Sequence, residues 1–65
     1  MDYGKLIKKE RMAQGMSFRT LSNKSGVSTT TIYHYENGVL PTIYKLDMIL
    51  KALGVSLTIG EEETA

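Results

Sequence analysis

An all-α domain of short helices is the fold this sequence predicts, and three observations carry that expectation. Cap and stop residues recur in pairs: Ser17 with Gly26, Ser28 with Asn37-Gly38, Thr42 with Gly54. Residues 43–53 carry apolar side chains at helical spacing. Alternation of period two marks one short segment, "VSLTIG" at 55–60. A capping side chain satisfies a free N–H of the first helical turn. Glycine closes a helix by adopting the left-handed conformation that other residues resist. The expected architecture is therefore four helices and a short C-terminal strand.

The first helix is expected from about Tyr3 to Gln14, with Asp2 as its N-cap and Gly15 just past its end. Leu6, Ile7 and Met12 supply its apolar contacts, and Lys5, Lys8 and Lys9 occupy another face. A second, two-turn helix starts after Ser17 and stops at Gly26, with Phe18 and Leu21 sharing one face. The third, "STTTIYHYENG", is capped by Ser28 and ended by Asn37-Gly38. Its threonines and tyrosines favour strands, but each costs only a few tenths of a kcal/mol in a helix, less than the boundary signals and a buried Ile32 return. Ile32 and Tyr35, three apart, form its inward face. The fourth helix follows Pro41 and the cap Thr42, with Ile43, Leu46, Ile49, Leu50 and Leu53 as its buried stripe.

Composition bounds the function. The chain has 65 residues, with 42% hydrophobic and 23% charged residues, as in ordinary soluble domains. A domain this small buries only about 60% of its unfolded surface, so association with a second copy is a natural source of stability. There is no cysteine and one histidine, His34, so a His/Cys metal site and a Ser-His-acid triad both lack residues. No phosphate-cradling glycine motif is present, and no cofactor is expected. No apolar run approaches a membrane span, and the start resembles no signal peptide, which points to the cytosol. With Glu61, Glu62 and Glu63 set aside as an acidic, frayed tail at 61–65, eight Lys and Arg face four acids over residues 1–60. A basic body suits a polyanion.

The spacing of the second and third helices is the sharper signal. A short helix, a three-residue turn "GVS" and another short helix make a helix-turn-helix over about 17–37, whose second helix, 28–37, fits the DNA major groove. Gly26 permits the turn, Val27 plugs the angle and Ser28 caps the reader.

The run "SFRTLSNKSGVSTTTIYHYENGVLPTIYKLDMILKALGVS" resembles the Cro/repressor, or XRE, helix-turn-helix family. Leu21, Gly26-Val27-Ser28, Ile32, Glu36-Asn37-Gly38, Pro41-Thr42, Leu46 and "ALGVS" at 52–56 all stand in register, and with Arg11 the likeness covers about 5–56. The resemblance implies a lambda-repressor-like domain of four to five helices and a sequence-specific regulator of transcription that binds double-stranded DNA near the nucleoid. It also implies that Arg11 pairs with Glu36, that Thr29, Thr30 and His34 touch base edges with Thr31 and Tyr33 close by, and that Ser17, Asn23 and Asn37 meet phosphates. Arg19 and Lys24 are either further phosphate contacts or solvated charges. His34 is otherwise a plain surface histidine, and Tyr33 is either a base or sugar-phosphate contact or simply exposed. The sequence departs from the family where Phe18 replaces the usual Gln, where Ser22 replaces Ala, and in a loop "ENGVLP" that lacks Lys or Arg.

After "LGVS" many relatives form a fifth helix, whereas "LTIGEEETA" resembles the strand of HipB-type antitoxins. That likeness implies a homodimer whose strands pair through Val55, Leu57 and Ile59. Two alternatives accompany the regulator reading: an antitoxin that also grips a toxin, and a protein-interaction module on the same fold.

Overall fold

The computed structural model describes residues 2–55. Its four helices are α1 (Tyr3–Ala13), α2 (Phe18–Ser25), α3 (Thr29–Glu36) and α4 (Ile43–Leu53). Each begins at a side-chain cap. Asp2, Ser17, Ser28 and Thr42 accept from the backbone N–H of Lys5, Thr20, Thr31 and Lys45 respectively. Gly26 and Gly54 close α2 and α4 at φ +82° and +77°, values that strain any residue bearing a Cβ. After Gly54, the N–H of Val55 returns to the Leu50 carbonyl at 2.9 Å, so the chain leaves α4 in a fixed direction.

The helices pack so that α1 and α2 each contact both α3 and α4. The enclosed core is Ile7, Leu21, Val27, Ile32, Tyr35, Leu46, Ile49, Leu50 and Leu53. Every helix contributes, and Ile32 and Tyr35 commit one side of α3 inward. The opposite side of α3 is left to solvent.

Two long-range contacts tighten the bundle. Gly4 lies buried in α1, where a Cβ would collide with the Tyr35 carbonyl; only hydrogen at this position lets α1 approach the last turn of α3 so closely. At the other end of α1, Gln14 Nε2 donates to the Leu53 carbonyl at 2.7 Å and satisfies a terminal acceptor of α4.

Two apolar expectations fail. Ile43 is 83% exposed instead of buried with Leu46, and Met12 is exposed instead of packed. Helical periodicity fixes the angle of a side chain around its axis. Met12, five positions after Ile7, lies ~140° around the axis from it, and Ile43 lies at the outer margin of the α4 stripe, ~60° from Leu46. The expected strand at 55–60, with Leu57 and Ile59, and the acidic segment at 61–65 lie outside the described residues, apart from Val55. That residue is half-buried against the core. Among the described residues there is no strand.

Candidate nucleic-acid interface

The connection from α2 to α3 is Gly26-Val27-Ser28. The left-handed Gly26 reverses the chain, and Val27 is buried between the two helices. The turn is locked from within: the Val27 N–H donates to Oγ of the buried Ser25 at 3.1 Å. Ser28 then accepts from the Thr31 N–H at 3.2 Å and donates to Thr31 Oγ1 at 2.9 Å. Thr31 is thereby committed to the cap and half-buried, apart from the other threonines.

Thr29 and Thr30 are exposed at the start of α3, and Tyr33 and His34 are exposed one turn later. Residues four apart lie above one another on a helix, so the four side chains make a single outward face. Together with Phe18 they line an open cleft of about 450 Å³. Tyr33 and His34 have ring centroids 6.0 Å apart, tilted at 58°.

Phe18 joins this group at the position where the resembled family usually carries Gln, a departure that put a DNA contact there in doubt. Its spacing from Leu21 suggests a core position, and part of the ring does pack there. The remainder faces α3, where it meets the Tyr33 ring edge-on with centroids 6.0 Å apart and planes at 68°. The guanidinium carbon of Arg11 lies 4.2 Å from the Phe18 ring centroid, within cation–π range.

Arg11 has three further ties. Its Nε donates to Glu36 Oε2 at 2.7 Å, its Nη2 to Glu36 Oε1 at 3.0 Å, and its Nη1 to the Met16 carbonyl at 2.9 Å. The Arg11 and Glu36 side chains retain only 11% and 2% of their exposure. This two-point fork joins α1 to the last turn of α3 while α1 also braces the start of α2. The orientation of α3 is therefore fixed by charge, by the Gly4 contact and by core packing.

The flanking polar residues divide. Arg19, Asn23 and Lys24 are exposed on α2, and neither cation has an ion-pair partner among the described residues. Ser17 holds the cap of α2 and lies 3.0 Å from the Thr20 hydroxyl. Asn37 sits at the far end of α3, and its side-chain amide donates to the Tyr33 carbonyl at 2.8 Å. Both hydroxyl and amide are thus occupied within their own helices.

The sequence model of the helix-turn-helix family matches residues 7–59. No curated protein and no solved structure matches the chain. The match spans the whole of α2, its turn and α3, and the same segment carries the exposed face on a braced second helix. The chain belongs to the XRE-type helix-turn-helix family of DNA-binding transcription regulators.

Proposed function

We propose that the protein is a sequence-specific repressor that binds a near-palindromic operator as a homodimer, each copy laying α3 in the major groove. The observation that carries this is the outward face of Thr29, Thr30, Tyr33 and His34 on a helix whose other side is fixed by Ile32, Tyr35 and Glu36. Threonine offers a hydroxyl to base edges and a methyl to thymine. Histidine donates or accepts according to its protonation. Thr31 supports the reading only through the cap. Arg19, Asn23 and Lys24 supply the phosphate contacts that set register, with the N–H groups at the start of α2 and with Ser17 and Asn37 after modest rotation.

Support for association comes from surface left uncovered. Leu40 and Ile43 are 84% and 83% exposed beside the exposed Tyr44, and patches of this kind mark interaction sites. A second copy is the occupant, with strands at Val55, Leu57 and Ile59 pairing about the two-fold axis. Recognition helices would then stand ~34 Å apart, one turn of DNA. The same apolar surface favours a second reading, an antitoxin that presents it to a toxin.

Selection from random duplex DNA tests the proposal. One enriched, two-fold symmetric motif is expected, with affinity falling steeply as salt rises. Enrichment of no sequence at low salt would refute sequence-specific binding and favour an interaction module. A monomer at high micromolar concentration in sedimentation would refute the dimer. A toxin that co-purifies from the native host would select the second reading.

A further inference from the structure

The cleft between α2 and α3 has an unusual lining for a surface that meets a polyanion. Of Phe18, Thr29, Thr30, Tyr33 and His34, none carries a permanent charge. The guanidinium packed on Phe18, that of Arg11, is already forked on Glu36 and bonded to the Met16 carbonyl. An apolar group would find the Phe18 and Tyr33 rings beside Thr29 and Thr30.

Phe18 is held on its face by Arg11 at 4.2 Å and against its neighbour Tyr33 at 6.0 Å between centroids. The aromatic pair therefore presents a hydrocarbon surface beside the first turn of α3, where Thr29 and Thr30 stand. Base edges in the major groove offer mostly polar atoms. The one apolar group among them is the 5-methyl of thymine, which 5-methylcytosine shares.

We propose that Phe18, with Thr29 and Thr30, forms a receptor for the 5-methyl group of a pyrimidine, and that this contact selects thymine over cytosine at one position of each half-site. The inference rests on the DNA-binding reading above and assigns that surface a defined chemical preference. Phe18 is a specificity-determining residue outside the recognition helix, and Arg11 acts on it as a positioning residue. A buried methyl-sized group contributes ~0.8 kcal/mol, which converts to about a four-fold change in affinity.

The test uses the full chain and the operator obtained by selection. Each thymine is replaced in turn by deoxyuridine, which removes only the methyl. Wild type should lose about four-fold in affinity at one thymine per half-site. Exchanging cytosine for 5-methylcytosine at that position of a variant site should restore a similar factor. Phe18→Gln should lose most of the difference between the thymine and deoxyuridine sites, while Phe18→Leu, which keeps an apolar wall, should retain most of it. Circular dichroism melts of both variants establish that they are folded. Equal binding of every deoxyuridine site by wild type would overturn the methyl receptor and leave DNA recognition intact. Persistence of the full difference in a folded Phe18→Gln protein would overturn the role of Phe18. If selection enriches no sequence, the functional reading falls and the methyl receptor falls with it.

Discussion

Replacing Arg11 by alanine removes one half of a nearly dry ion pair and leaves the other in place. Glu36 keeps only 2% of its side-chain exposure, so its carboxylate would lose two charge-assisted donors without gaining water. Breaking such a pair costs about 3–5 kcal/mol, because the remaining charge is uncompensated. Loss of the bond to the Met16 carbonyl adds about 0.5–1.5 kcal/mol. A 65-residue domain has roughly 3–10 kcal/mol of total stability, so Arg11→Ala should lie near the unfolding threshold. Glu36→Ala should cost less, about 2–3 kcal/mol, because Arg11 is more exposed and keeps the Met16 carbonyl and the Phe18 face. With both residues changed to alanine no orphaned charge remains. The double variant should fall short of the sum of the single effects by about 2 kcal/mol or more. Urea unfolding followed at 222 nm gives each value, and an unchanged slope against denaturant shows that the unfolded state is comparable. Arg11→Lys, which keeps the charge but loses the fork, provides a milder point on the same scale. Additive effects within about 0.5 kcal/mol would refute the coupling and reduce the pair to two independent side chains.

Three other perturbations probe different parts of the molecule. Gly4→Ala should destabilise by about 2 kcal/mol or more, against the ~1 kcal/mol gain expected of alanine in a helix, because its Cβ meets the Tyr35 carbonyl; a raised melting temperature would contradict the packing of α1 on α3. Thr30→Ala should leave stability within about 0.5 kcal/mol while weakening operator binding by about 1–3 kcal/mol in gel-shift titration, and equal binding would remove Thr30 from the reading face. Ile43→Glu should keep the fold, since the side chain is already 83% exposed, and should shift sedimentation toward monomer; an unchanged dimer would free this face from self-association.

Local chemistry was the legible part of the fold. The four capping side chains and the left-handed glycines act within a few residues of their own positions, so sequence carries their effect almost unaided. The inward pair Ile32 and Tyr35 was equally legible from spacing. What escaped is whatever depends on where helices cross. Gly4 looks like an ordinary weak helix position until the Tyr35 carbonyl is seen beside it. Gln14 gives no sign of the Leu53 carbonyl it reaches 39 positions away. Ile43 and Met12 are exposed because one sits at the margin of the face its helix buries and the other on a different face. At the candidate interface, the exposed residues of α3 could be read from cap and period. The tie between Arg11 and Glu36, 25 positions apart, came from a family resemblance. Phe18 satisfied a core pattern with Leu21, which hid the part of its ring that faces Tyr33.

The two ends of α3 are built for different tasks. Its last turn gathers the constraints: the Gly4 approach, the Arg11 fork and the amide of Asn37. Its first turn turns Thr29 and Thr30 outward, and among the described residues no tertiary polar bond holds either side chain. Exchanges at those two positions would leave the forks, caps and core untouched. A lineage could thus move from one operator to another by small steps, each producing a folded protein. Mutation at Glu36 or Arg11 has no such neutral path. Retargeting is cheap at one end of an eight-residue helix and nearly forbidden at the other, so drift in recognition is expected to outpace drift in architecture.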